Sequence, residues 1–181
     1  MKNGLMIAAV VSSMSMTLAS MAAAKSTQPN ESVTLNHKTA QQVGRGQVKW
    51  LNDQQVQIKD AYVLASDSDL QDFTFSFEGR APQDAPADQV GIWAVFRQFD
   101  RNHRYMVGLR GPPHSDIYLV RYSPDGEDRM LALETVPTAV PGQWYKLKVE
   151  AFGSEIKIYL NDKEVAAVED KAASFSSGFS Q

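Results

Sequence analysis

The chain has 181 residues, carries a formal net charge of −3 and contains no cysteine. The lack of cysteine excludes both a disulfide framework and a lipid anchor attached through cysteine. Because acidic residues outnumber basic ones by 21 to 18 and no basic block occurs, nucleic acid is not an expected partner.

The first 24 residues have the layout of a secretory signal peptide. Lys2 precedes an uncharged apolar run, residues 5–24, that ends in three alanines. Small residues precede the cut made by signal peptidase, so we expect cleavage near Ala24. A membrane anchor is the alternative, but the serines and threonines in the run disfavour it. The sequence therefore predicts a secreted or periplasmic protein with no membrane partner.

Short strand patterns fill most of the remaining chain. Residues 25–44 are expected to form a polar leader and a first strand, and residues 45–181 a single β-domain. In FTFSF (73–77), phenylalanines alternate with polar residues, as in a half-buried strand. Further strand patterns follow between clusters of Pro, Gly, Asp and Asn, which favour turns. This spacing predicts an all-β fold, a two-sheet antiparallel sandwich. The expected core includes Phe75, Phe77, Ile92, Phe96, Leu109, Leu119, Leu147, Val149, Ile156 and Ile158.

The last residues, DKAASFSSGFSQ, resemble the approach to another strand. A sandwich that lacks its last strand would expose an open sheet edge. We expect the chain to be a C-terminally incomplete piece of a longer protein. A strand near Val33 that covers the edge is the alternative.

Catalytic patterns are missing from the sequence. No strand carries the Glu-x-Asp-x-x-Glu string of a jelly-roll glucanase, whose carboxylates would share one cleft. The histidines, His37, His103 and His114, lie far apart, and no zinc-binding spacing occurs. The acidic cluster DSDLQD (67–72) has calcium-binding atoms but fits a polar turn better. We therefore predict no catalytic residue, no metal and no cofactor in this segment.

The segment GIWAVFRQFDRNHRYMVGLRG (91–111) and the next strand suggest a binding surface. If the aliphatic residues face the core, alternation places a set of aromatic and arginine side chains on the outer face of one sheet. That set is Trp93, Arg97, Arg110, Tyr118 and Tyr122. Flat rings stack on sugars and arginine forks bind hydroxyl pairs, so the row is a candidate glycan-binding surface. The alternative is that these side chains only cover the sheet, with Arg97 holding the turn at Asp100.

Several segments in order resemble the concanavalin A-like lectin/glucanase superfamily. They include Phe96-Arg97, a short turn at 100–102, Tyr105, and Pro-Gly-x-Trp-Tyr at 141–145. A strand ending in Leu-Asn-Asp (160–162) completes the order. The chain is most similar to the laminin-G-like and 3-keto-disaccharide-hydrolase-like (DUF1080) modules of secreted bacterial carbohydrate enzymes. The resemblance implies a jelly-roll sandwich and a carbohydrate context.

These observations predict a secreted carbohydrate-binding or accessory module, the N-terminal part of a glycoside hydrolase. Carbohydrate is the expected partner, together with a downstream catalytic domain of the same protein. Two alternatives stay open: an enzyme of the 3-keto-glycoside hydrolase type and a laminin-G-like module that binds protein. An enzyme needs acids and bases that converge on one face, whereas a protein-binding module needs an exposed apolar patch.

Overall fold

The computed structural model describes residues 72–98, 102–123 and 125–171 and, before them, mainly the backbone of eight short strands. The earlier strands are β1 (Leu5–Ile7), β2 (Met14–Thr17), β3 (Met21–Ala23), β4 (Glu31–Val33), β5 (Gln41–Val43), β6 (Gln47–Asn52), β7 (Gln55–Lys59) and β8 (Tyr62–Ser66). The later strands are β9 (Phe73–Arg80), β10 (Gly91–Phe96), β11 (Arg104–Arg110), β12 (Asp116–Tyr122), β13 (Arg129–Thr135), β14 (Tyr145–Phe152), β15 (Glu155–Leu160) and β16 (Lys163–Glu169). A 3₁₀ turn, Ala87–Gln89, precedes β10.

Two antiparallel four-stranded arrays form the sandwich. The front sheet has the order β10-β11-β12-β13, and the back sheet has the order β16-β15-β14-β9. The back sheet continues from β9 through β2 to β7 and β6, while β1, β8 and β5 form a separate three-stranded sheet. The predicted all-β, two-sheet antiparallel jelly-roll sandwich is therefore confirmed. Within the described part of the chain, no helix is long and apolar enough to cross a membrane.

The inward faces of both sheets meet in one apolar core. Alternation works as expected in β9, where every second residue, from Phe73 to Phe77, is fully buried. Phe96 from the front sheet packs against Phe73 and Phe75 from the back sheet, with ring centroids 5.7 and 6.0 Å apart. All ten residues predicted for the core are at most 1% exposed. Burial of such aromatic and aliphatic side chains, each stabilising the fold by about 1.5–3 kcal/mol, joins the two sheets.

The hairpin between β11 and β12 fixes the register of the front sheet. A tight turn over 111–115 places Arg110 directly opposite Asp116. From that pair, the register brings Gly108 opposite Tyr118 on one side and opposite Trp93 on the other. Because strand residues alternate between faces, these outward residues lie in rows across the front sheet.

Candidate functional site

Trp93 lies flat on the outer surface of the front sheet because two glycines lie beneath it. A Cβ atom on Gly108 would overlap Cδ1 of Trp93 and would lie 2.6 Å from Cε1 of Tyr118. A Cβ atom on Gly91 would lie 2.9 Å from Cζ2 and Cη2 of the same indole. The indole therefore rests on bare backbone at both ends, and the side chain is partly exposed. We call Trp93, Gly108, Tyr118, Arg110 and Asp116 the Trp93 platform.

Arg110 and Asp116 form a tight ion pair beside the indole. Nε of Arg110 donates to Oδ1 of Asp116 at 2.7 Å, and Nη2 donates to Oδ2 at 2.8 Å. This two-bond geometry is the strongest that arginine and a carboxylate form, and it raises the pKa of Arg110. The two charges largely cancel, so the platform offers fixed donors and acceptors with little net charge.

Tyr118 packs between Arg110 and Trp93. The Arg110 guanidinium carbon lies 4.7 Å from the centre of the Tyr118 ring. Burial raises the pKa of the Tyr118 hydroxyl, and a hydrogen bond from Trp93 opposes that shift. The ring is only 7% exposed, so it supports Arg110 and Trp93 and presents little surface of its own.

Tyr122 lies on the same outer face but at the other end of β12. It is four positions along the strand from Tyr118, a backbone distance of roughly 13 Å. Its ring stacks with Arg104, whose guanidinium carbon is 4.4 Å from the ring centre. A row of aliphatic and methionine side chains, which includes Val95, Met106 and Val120, lies between the two arginine–tyrosine stacks.

Arg97 does not lie on the outer face, so its predicted position beside Trp93 is wrong. Strand β10 ends at Phe96, and the backbone of Arg97 then adopts a left-handed conformation with φ of 46°. This turn breaks the alternation and points the side chain inward. The guanidinium lies 6.0 Å from the ring centre of Phe73 and 3.9 Å from Oδ1 of Asp72. Burial lowers the pKa of Arg97, while Tyr105 and the charges of Asp72 and Asp170 oppose that shift.

A buried polar cluster occupies the same end of the sandwich. Nη1 of Arg121 donates to both carboxylate oxygens of Asp170, at 2.7 and 2.8 Å. The hydroxyl of Tyr105 donates to Oδ2 of Asp170 at 2.9 Å. Asp170 follows the last strand of the back sheet, whereas Arg121 and Tyr105 belong to the front sheet. The cluster therefore connects the two sheets, and Arg97 extends it toward the β10–β11 turn.

The outer face of the back sheet carries a polar group of side chains around Glu150. Glu150 accepts hydrogen bonds from Lys148 at 2.8 Å and from the Tyr159 hydroxyl at 2.9 Å. The hydrogen bond with Lys148 lowers the pKa of Glu150, and the bond to Glu150 raises the pKa of Tyr159 to about 12. A carboxylate whose pKa is lowered in this way stays ionised near neutral pH and is a poor proton donor.

Acidic and histidine side chains form no group of three close enough to hold a metal ion among the described residues. Asp67, Asp69 and His37 lie outside the described residues. Asp72 accepts a hydrogen bond from the Gly153 amide at 2.7 Å, which is a turn contact. The proposed signal peptide overlaps strands β1, β2 and β3 in the structure, and its cleavage stays a prediction.

The front sheet brings together three of the five residues predicted for a binding surface: Trp93, Arg110 and Tyr118. Asp116 and Gly108 were not among the residues predicted for this surface, although pairing outward from the 111–115 turn places each opposite a platform residue. Asp170 was not predicted either, because no local pattern in the sequence indicates its contacts with Tyr105 and Arg121.

Comparisons with known proteins agree with this fold. The sequence model of the 3-keto-alpha-glucoside-1,2-lyase-like domain matches residues 23–179. A solved structure described as carbohydrate binding module CBM66 from Bacillus subtilis superposes with a TM-score of 0.57 at 23% sequence identity. The alignment covers 73% of this chain and 80% of that one. The search of curated proteins found no significant match.

Proposed function

Because the chain belongs to the family of 3-keto-alpha-glucoside-1,2-lyase-like domains, we propose that it binds carbohydrate and that the Trp93 platform is its binding surface. The name of the family refers to a glucoside, and the similar solved structure is a carbohydrate-binding module. Both names support a sugar as the ligand of the platform.

The proposal rests on the position of the Trp93 indole, which lies flat on Gly91 and Gly108. The partly exposed indole is an aromatic surface on which the C–H groups of a sugar ring can stack. Arg110 and Asp116 lie beside this face and supply fixed hydrogen-bond donors and acceptors. Small-molecule sites combine apolar surface with a few placed polar groups in the same way.

The experiment compares two tryptophans on opposite faces of the sandwich. Trp144 lies just before β14, is 37% exposed, and has the Arg80 guanidinium carbon 4.9 Å from its ring centre. Affinity electrophoresis against a panel of soluble polysaccharides identifies a glycan that retards the wild type. We expect Trp93→Ala to abolish the retardation and Trp144→Ala to preserve it. The Trp93 platform would be contradicted if both variants lost the retardation equally, or if neither lost it while both stayed folded.

A second candidate function is cleavage of a 3-keto-glucoside, which the name of the family favours. Elimination beside a ketone needs a base that can reach the sugar. The platform carboxylate, Asp116, has both oxygens engaged by Arg110. Incubation of the protein with a 3-keto-glucoside tests this candidate. Release of the aglycone that Asp116→Asn abolishes would establish it, whereas wild-type binding without turnover would favour the binding module.

We also propose that the protein is secreted or periplasmic and that it forms the N-terminal part of a longer carbohydrate enzyme. The apolar run that ends at Ala24 supports the first proposal, and the name of the matched family, which refers to a lyase that acts on a glucoside, supports a carbohydrate enzyme for the second. Cell fractionation and N-terminal sequencing test the first proposal, for which we expect Lys25 as the new N-terminus. Retention of residues 1–24 in the exported protein would contradict it.

A further inference from the structure

We infer that the Trp93 platform takes a neutral, linear glycan that crosses the strands of the front sheet, rather than an acidic sugar or a single terminal ring. This inference rests on the proposed carbohydrate-binding function and concerns which class of glycan the same surface binds. The inference rests on two observations, which are the shape of one row of side chains and the charge of the row beside it.

The shape comes from the row that includes Trp93. Register places Trp93, Gly108, Tyr118 and Leu133 opposite one another on the four strands of the front sheet. Leu133 ends this row on β13 and is 54% exposed. The row crosses three gaps between strands, roughly 14 Å, which is the length of about three sugar residues in a chain. We call this row the strip: the partly exposed indole lies at one end and the exposed Leu133 at the other, and Tyr118, with Arg110 over its ring, lies between them. Successive sugars can therefore stack on its two ends and lie against Arg110 in the middle.

The neighbouring row supplies hydrogen bonds along one side of this strip. Arg110 and Asp116 lie two positions from Gly108 and Tyr118 on the same face of the sheet. The ion pair uses Nε and Nη2 of Arg110 and leaves Nη1 outside it. The other neighbouring row is apolar and includes Met106, Val120 and the exposed Met130. The strip therefore has one polar side, which matches the hydroxyl edge of a sugar chain.

The charge of the surface selects against acidic sugars. Asp116 already holds Arg110 in a two-bond ion pair, so a glycan carboxylate would have to displace it or lie beside it. A glycan carboxylate that lies beside Asp116 would be repelled by its like charge. If the glycan displaced Asp116 instead, that carboxylate, which is only 8% exposed, would lose its partner. Hydroxyl groups avoid both costs, because they can donate to Asp116 and accept from Nη1 of Arg110.

The first experiment titrates the full chain with two classes of probe. Neutral probes are oligosaccharides of one to six units from glucan, mannan, galactan and fructan, and acidic probes are polygalacturonate and alginate. We expect a neutral series to bind, with affinity that rises up to about three units and then stays level. Tighter binding of the acidic probes would overturn the neutral-ligand inference while leaving the proposed function intact. Equal affinity for one unit and for three would overturn the linear-chain inference.

Two variants sharpen the test. Asp116→Asn keeps the size of the side chain but frees the charge of Arg110, so we expect weaker neutral binding and new, salt-sensitive retention of polygalacturonate. Leu133→Ser should weaken the binding of chains of three or more units by roughly threefold to tenfold and spare shorter ones. Phe152→Ser is the matched control, since Phe152 is an exposed apolar residue on the back sheet. Equal effects of the two serine variants would contradict the proposed path across the strands.

If no probe of either class binds the wild type, the proposed function itself fails, whatever the variants do. A folded Asp116→Asn protein that stays inert toward polygalacturonate would show that the ion pair does not set the charge preference. Circular dichroism and thermal denaturation of each variant establish that it is folded before its binding is interpreted.

Discussion

Removal of the Asp170 carboxylate should destabilise the domain more than any change on the Trp93 platform. In Asp170→Ala, Arg121 keeps its charge but loses the carboxylate that accepts both of its short hydrogen bonds. Arg121 is only 7% exposed, so water cannot replace the lost partner. An uncompensated buried charge of this kind costs about 3–5 kcal/mol. The Tyr105 hydroxyl also loses its acceptor.

This loss is a large part of the stability of a single domain, which is about 5–15 kcal/mol. For a domain of this size, we expect the melting temperature to fall by roughly 6–20 °C. Urea denaturation followed by circular dichroism measures the free energy of unfolding, and a temperature scan gives the melting point. Lys146→Ala is the control, because Lys146 pairs with the exposed Asp162 and its loss should cost about 1 kcal/mol or less.

A double variant separates the buried charge from lost packing. Replacing Arg121 with Met and Asp170 with Leu removes both charges and keeps apolar volume, so it should be more stable than Asp170→Ala alone. A loss below about 1 kcal/mol in Asp170→Ala would refute the reasoning. The same conclusion would follow if the double variant were no more stable than the single one.

Three further predictions concern the platform and the buried cluster. Gly108→Ala should tilt Trp93 away from the sheet, because the new Cβ atom would overlap the indole. We expect the stability to fall by about 1–3 kcal/mol. The variant should stay folded, show a shifted tryptophan emission spectrum and bind no glycan. Arg97→Ala should destabilise the domain and leave glycan affinity unchanged at temperatures where it is folded, because the side chain lies inside the sandwich. Stability should also fall as pH rises above 10, since burial and the charge of Asp170 raise the pKa of Tyr105 above its ordinary value of 10.0. The unfolded chain then loses this proton first, and urea midpoints between pH 8 and 11 measure the effect.

Each of these predictions has an outcome that contradicts it. Unchanged emission and full binding in Gly108→Ala would mean that Trp93 does not rest on the backbone. Loss of binding in a folded Arg97→Ala protein would indicate that Arg97 does contribute to the binding surface. Tyr105→Phe should reduce the decline in stability above pH 10, and an unchanged decline would assign it to other groups, among them Tyr118, whose pKa is also raised.

The sequence alone determined the sandwich and the division of each strand into two faces. Period-two alternation requires no knowledge of neighbouring strands, because successive side chains of any strand point to opposite sides. That rule identified the core residues and placed Trp93, Arg110 and Tyr118 on one outward face. The short turn over 111–115 also encodes the pairing of Arg110 with Asp116, since a hairpin register follows from its turn.

Only the tertiary structure decided the features in which alternation ends or distant segments meet. Arg97 follows the last residue of β10, where its positive φ reverses the side chain. Its neighbours are Phe73, the first residue of β9 in the other sheet, and Asp72 just before it. Asp170 reaches Tyr105 and Arg121 across separations of 65 and 49 residues. No local pattern can encode such a contact, because it depends on how the end of the back sheet packs against the front sheet.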